Sequence, residues 1–169
     1  NVLAKGPTAD TLADVAEYYW KTDLRDPLLL PDRCTGGPIV SAGVTTYSNV
    51  CINDPEKYPK QYMTTYTLGL GASGLMEYQS DYLTSVLGDF FSVKNGLTAD
   101  PSTGVCSWQK NGVCTWPKPE SNAQTNIDDL WHAAVNGRGT YFSADNPTSL
   151  AAGISSALAA IEIKDGALS

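Results

Sequence analysis

The run Thr64-Thr65-Tyr66-Thr67-Leu68-Gly69-Leu70-Gly71-Ala72-Ser73-Gly74 begins in β-branched and aromatic residues and ends in a cluster of small ones. Tyr62 to Leu70 therefore reads as a strand, and the glycines behind it as a turn. Beyond the turn, Leu75, Tyr78, Tyr82, Leu83, Val86, Leu87 and Phe90 recur at helical spacing, which predicts a helix to about Phe91. A strand turning directly into a helix is the opening move of an α/β unit.

The same pattern returns near the C-terminus. Ile127, Leu130, Trp131, Ala134 and Val135 make a short amphipathic helix, with Gly137 placed as its C-cap. Thr140 to Ala144 is a second, short strand. Asn146-Pro147 supplies an N-cap and a proline at the first helical position, and Leu150, Ile154, Leu158 and Ile161 complete a last helix. Upstream, residues 8–24 read as a helix with Leu12, Val15, Ala16, Tyr19 and Trp20 on one face. Thr11 with Asp14 resembles a capping box, and Thr8 is an alternative cap. The order helix, strand, helix, helix, strand, helix predicts α/β with a parallel sheet. Two strands alone do not make a stable sheet, so the chain is short of strands.

Two long segments interrupt this order. Residues 27–60 are rich in Pro, Gly, Asp and Asn and read as an irregular insertion; residues 95–126 form a second. Each holds two of the four cysteines, Cys34 and Cys51 in the first and Cys106 and Cys114 in the second. With no C-x-x-C pair and a single histidine, His132, a zinc site is excluded in favour of two disulfides formed in an oxidising compartment. Three connectivities are open. Pairing neighbours, Cys34–Cys51 and Cys106–Cys114, closes each bridge within its own turn-rich segment. Asn111-Gly112 is a hairpin-turn pair, yet a simple two-residue turn there would set Cys106 opposite Pro117 rather than Cys114. Trp108 and Trp116 lie in polar loop outside any periodic segment, which marks them either as a contact loop or as a local mini-core.

The chain's 169 residues suit one domain, and only 17% of them are charged. Eleven Lys and Arg against eighteen Asp and Glu give a net charge of −7, which with no basic stripe argues against a nucleic-acid partner. No run of 18 apolar residues offers a membrane span. The start, Asn1-Val2-Leu3-Ala4-Lys5-Gly6, lacks a signal pattern and an initiating Met, so the chain is expected to begin partway through something, while the expected disulfides point to secretion.

Two catalytic motifs can be weighed. Gly69-x-Gly71-x-x-Gly74 matches a dinucleotide fingerprint, with Asp89 about 20 residues on, but the helix then runs into a disulfide-bearing loop rather than the required second strand. We reject it. Gly71-Ala72-Ser73-Gly74-Leu75 is one residue short of a nucleophile elbow. A small secreted hydrolase using Ser73 and His132 is accordingly the alternative reading, with His132 as a packing residue the competing one. The acids are scattered, and no Asp-x-Asp-x-Asp-Gly calcium loop occurs. Asp128 and Asp129 fall in the first turn of a helix, where the dipole favours negative charge, and read as structural.

Thr64 to Gly71 resembles a late core strand of a von Willebrand factor type A domain, and Gly137-Arg138-Gly139-Thr140-Tyr141-Phe142-Ser143-Ala144-Asp145, with Leu150 after it, resembles the last strand and final helix of such domains. More narrowly, Thr11 to Trp20, Met63 to Gly71 and Asp128 to Gly137 resemble the PilY/PilC family of type IV pilus tip-associated adhesins. The resemblance implies a partial von Willebrand factor type A-like (Rossmann-like) three-layer α/β sandwich, residues 1–169 being its C-terminal portion. The type A metal motif, Asp-x-Ser-x-Ser, does not occur here. The family's divalent metal and its propeller calcium are thus expected outside this chain, with no cofactor or metal in it. The implied function is a non-enzymatic adhesin segment in pilus biogenesis and surface attachment, at the bacterial cell surface or pilus tip. Its implied partners are the upstream half of the same domain, minor pilins at the pilus tip, and a host or abiotic surface.

Overall fold

The computed structural model describes residues 10–22, 39–41, 44–46, 52–53, 59–60, 62–144 and 147–166. Cys34, Cys51 and their expected bridge lie outside the described residues, as do the caps expected at Thr8 and Asn146 and the side chain of Ile161.

Helix α1 (Leu12–Lys21) is followed by two short antiparallel pairs, β1 (Ile39–Ser41) with β2 (Val44–Thr46), and β3 (Ile52–Asn53) with β4 (Pro59–Lys60). The first insertion is therefore not irregular throughout, because its few β-branched residues are grouped closely enough to pair. Strand β5 (Thr65–Leu70), helix α2 (Asp89–Asn95), helix α3 (Thr125–Asn136), strand β6 (Arg138–Ala144) and helix α4 (Pro147–Gly166) complete the order.

β5 and β6 pair in parallel, as expected, with Leu68 beside Phe142 and Leu70 beside Ala144. Helix α3 covers one face of this sheet and α4 the other, giving three layers. Period-2 alternation assigns the faces. Thr67 points to α3 and donates its hydroxyl to the Leu130 carbonyl at 2.7 Å, while Tyr141 stacks on Trp131 of α3. Leu68 and Phe142 point to α4, where a Cβ at Gly153 would lie 3.2 Å from the Phe142 Cβ. Glycine at that position lets α4 settle close on the sheet. The expected apolar face of α4 is turned differently: Ile154 and Leu158 are exposed.

The core beneath α3 is aromatic. The Trp131 ring meets Tyr82 at 5.0 Å, Tyr141 at 5.5 Å, Trp116 at 5.8 Å and Phe90 at 5.9 Å. Such pairs contribute about 0.5–1.5 kcal/mol each beyond their buried area. Tyr82 adds a polar tie, its hydroxyl accepting the Tyr141 N–H at 3.0 Å.

Helix α1 begins with the expected capping box: Thr11 and Asp14 exchange side chain-to-backbone bonds. Of the expected face Ala16 is buried, but the helix is turned so that Ala13 joins it. Ala13 and Ala16 are buried against Ala133 of α3, whereas Leu12, Val15 and Tyr19 stay exposed. Alanines let two helices approach closely, and polar ties fix the contact: Asp129 accepts the Leu12 N–H at 2.9 Å, and Asn136 donates to the Ala13 carbonyl at 3.2 Å. Arg138 lies over the Trp20 ring, 4.3 Å from its centroid, and donates to the last carbonyls of α3.

The helix expected from Leu75 to Phe91 does not form. Helix starts only at Asp89, and residues 71–88 run as turns and extended chain. The apolar residues with helical spacing divide accordingly. Tyr82 and Phe90 are buried, while Leu75, Leu83, Val86 and Leu87 face solvent. The N–H groups of Leu75, Met76 and Glu77 are instead held by the Asp128 and Asp89 carboxylates.

The second insertion is a folded knot. Cys106 and Cys114 are disulfide-bonded, as the pairing of neighbours predicted. The backbone pairs Thr98 with Val113 and Asp100 with Val105, so the ladder partner of residues 112–114 lies before Cys106 and not after it. That is why a simple hairpin at Asn111-Gly112 cannot align the two cysteines. Gln109 holds the interior of the loop, donating to the carbonyls of Asn111 and Val113 and accepting from Thr115.

Candidate functional site

A cleft of about 510 Å³ opens at the C-terminal edge of the β5–β6 sheet, against the N-terminal half of α3. Ligands in open α/β sheets sit at this edge, where loops leave the strands. The cleft exists because the loop after β5 is held away from helical geometry. Asp128, in the first turn of α3, accepts the Leu75 N–H at 2.8 Å and the Met76 N–H at 3.0 Å. Asp89, at the start of α2, accepts the Glu77 N–H at 2.7 Å. Gly74 allows the first of these ties, since a side chain there would collide with the Asp128 carboxylate.

Walls and floor come from three parts of the chain. Ser73 and Glu77 belong to the post-β5 loop, Tyr141 and Ser143 to β6, and Asp128 and Trp131 to α3. Tyr78 stands edge-on to Trp131 at 5.5 Å and to Tyr141 at 5.3 Å.

The electrostatics are one-signed. Burial pushes the Asp128 carboxyl above the usual carboxylate range, against the pull of the Leu75 and Met76 N–H groups, and the Asp89 charge adds to the rise. Burial also raises Asp89, opposed by its bond from Glu77 N–H and reinforced by the Glu77 charge. The Tyr78 and Tyr141 hydroxyls are raised chiefly by burial as well. Among the described residues no Lys or Arg pairs with Asp128, Asp89 or Glu77; the ion pair there is Lys21 with Glu17, on α1.

Ser73 and His132 are not brought together as a catalytic pair. Ser73 lines the cleft, whereas His132 is buried and stacked on the Trp116 ring at 4.5 Å, away from the cleft lining. Trp116 is 2% exposed, so it joins the core and cannot act as an exposed contact. Trp108 is half-buried, its indole N–H donated to the Thr115 carbonyl at 3.0 Å. The expected contact loop is thus, for Trp116, a part of the core. Its sequence neighbour Pro117 is buried too, which draws the segment inward behind the disulfide.

The fingerprint glycines have separate structural reasons. Gly71 takes a left-handed turn, φ 63°, and Gly69 passes too close to the Tyr141 hydroxyl to carry a side chain. Sequence reasoning placed Asp128 only at a helix N-terminus and did not find its role as the clamp on Leu75 and Met76. The available signal was Gly74 standing next to two apolar residues behind a strand. Among the described residues no three His, Cys, Asp or Glu side chains gather as a metal site, and no helix is long and apolar enough to cross a membrane.

Comparison with known proteins fits these observations. No family model and no solved structure matches the chain. It is 37% identical over 164 residues to the type IV pilus biogenesis factor PilY1 of Pseudomonas aeruginosa strain PAO1, covering 94% of this chain and 12% of that protein. The PilY1 of strain PAK is 35% identical, covering 93% of this chain and 12% of the relative. That of strain UCBPP-PA14 is 32% identical, covering 84% and 11%. The chain thus spans about an eighth of the length of these curated relatives. Extending along nearly the whole chain, from α1 to the last helix, this similarity means that the chain belongs to the PilY1 family of type IV pilus biogenesis factors.

Proposed function

We propose that the chain is a non-enzymatic segment of a type IV pilus biogenesis factor that also serves as an adhesin at the pilus tip or cell surface. The observation that carries this reading is the similarity to PilY1 along 94% of the chain. The fold agrees with such a role in two ways. Ser73 and His132, the pair a hydrolase would use, stand apart, Ser73 at the cleft and His132 stacked on Trp116. Its two-stranded parallel sheet, covered on both faces, suits the end of a larger type A-like sheet whose remaining strands come from the upstream half of the same domain. Minor pilins and a host or abiotic surface are the further partners. The disulfide-closed knot of residues 97–116 is braced to keep its shape when the pilus is pulled.

Labelling intact cells with Fab fragments raised against residues 97–116 tests the assignment. Gold label on pili or the outer surface, with Fab-treated cells attaching poorly, is the expected result. Label that appears only after cell lysis overturns it.

A further inference from the structure

The cleft at the C-terminal edge of the sheet has a ligand chemistry of its own, independent of whether the protein is an adhesin. We propose that it binds an organic cation, a primary ammonium or guanidinium group, with Asp128 as the buried counter-charge, Glu77 at the rim, and Tyr78 as the aromatic wall.

Three observations converge on that class. First, the cavity is real and sized for a ligand: about 510 Å³, within the range of small-molecule sites and larger than a lysine or arginine side chain needs. Second, its charge is uncompensated. Among the described residues, Asp128, 2% exposed, keeps its carboxylate at the cleft with two backbone N–H groups as partners and no Lys or Arg paired with it, and Glu77 also lines the cleft. Amide donors satisfy hydrogen bonds but bring no full positive charge. An isolated buried carboxylate is costly unless paired, and a cation entering the cleft supplies the missing charge. Third, one wall is a ring: the half-buried Tyr78 lines the cavity, held edge-on to Trp131 at 5.5 Å and to Tyr141 at 5.3 Å. Aromatic faces attract ammonium and guanidinium ions, and more so when the ion is desolvated.

The other ligand classes fit less well. An anion would face the Asp128 and Glu77 carboxylates. A divalent metal wants six or more oxygen ligands or a tight set of ligating side chains, and no group of three His, Cys, Asp or Glu gathers among the described residues. The Ser73 and Ser143 hydroxyls at the lining supply acceptors for the remaining N–H protons of an ammonium.

The test titrates the 169-residue chain with N-acetyl-lysine N-methylamide and with butylammonium, following the Leu75 and Met76 amide resonances, which report on the Asp128 carboxylate. N-acetyl-norleucine N-methylamide is the neutral control of similar shape. The expected result is a saturable shift with either cation, at affinities in about the millimolar range, and none with the control. Glu77→Gln, an exposed change that leaves the fold intact, weakens binding about threefold, and Asp128→Asn about tenfold, as loss of one charge partner implies. Tighter binding of the lysine amide than of butylammonium assigns the cleft to a polypeptide side chain, and equal binding assigns it to a free amine. Shifts of equal size with the norleucine control, or cation binding unchanged by Glu77→Gln, overturn the proposal even where Asp128→Asn fails to fold.

Discussion

Gly74 lies directly against the Asp128 carboxylate, so close that a Cβ on it would enter the van der Waals shell of both carboxylate oxygens. The contact joins the loop after β5 to the first turn of α3. It fixes the position of the two N–H groups, Leu75 and Met76, that Asp128 accepts. The cleft therefore depends on one glycine and one acid far apart in sequence.

Gly74→Ala should displace Asp128 and cost about 1–3 kcal/mol, the range for overpacking a tight site or orphaning a buried donor. Urea unfolding of the variant checks this. A midpoint unchanged from wild type would mean that the loop can yield without losing the clamp.

Tyr82→Phe removes the acceptor of the Tyr141 N–H while keeping the ring among Phe90 and Trp131. A loss of about 1–3 kcal/mol is expected from the orphaned N–H. The alkaline limb gives a second readout. Burial pushes the Tyr82 hydroxyl from 10.0 up to about 12. Folding thus favours the neutral phenol, and its stability contribution, intact below pH 10, is lost as pH rises through about 12. The stability gap between wild type and Tyr82→Phe should narrow by about 2–3 kcal/mol across that window. A constant gap would contradict the burial of the hydroxyl.

What the sequence disclosed and what it hid divide on physical lines. β5, α3 and β6 were legible because a strand or helix buried on one side repeats its pattern locally, and the pairing of Cys106 with Cys114 followed from their nearness in the chain. The stretch from Leu75 to Gly88 was misjudged because its backbone partners, Asp128 and Asp89, lie elsewhere, 53 and 12 residues from the groups they bind. Helix α1 was assigned its inward face correctly at Ala16 but not at Leu12 and Val15, whose bulk suggested burial where close helix packing selected Ala13. Trp116 looked like loop because its burial arises from the fold of a disulfide knot, which no periodicity announces. The cleft itself was invisible, being made of residues from three separate segments.

Asp89→Asn tests the one-signed electrostatics of the cleft. The Asp89 carboxyl is raised from 3.8 by burial first, then by the Glu77 charge. A raised carboxylate contributes stability that is present below its unfolded value and lost as pH rises through the folded one. Asparagine imitates the neutral acid and keeps an acceptor for the Glu77 N–H. Its stability relative to wild type should therefore improve between pH 4 and pH 7, measured by thermal melts at matched ionic strength. A difference that is flat, or that worsens with pH, would contradict the uncompensated charge.

Replacing both Cys106 and Cys114 with serine opens a short loop and leaves two hydroxyls in a dry site, since the cysteines are 0% and 3% exposed. Chain entropy alone predicts a loss of about 2.6 kcal/mol. Release of Trp116 toward solvent should follow, read as a red shift of tryptophan emission before global unfolding. A melt with one transition at the wild-type temperature would show that the knot holds without its bridge.

Counting surface pili tests the central claim most directly. In cells whose gene for this chain carries an in-frame deletion of residues 62–144, which removes β5, the cleft and α3, electron microscopy should find few or no pili while pilin levels stay normal. Restoring the intact gene should restore the pili. Wild-type pilus numbers in the deletion strain would contradict a part for this segment in pilus biogenesis.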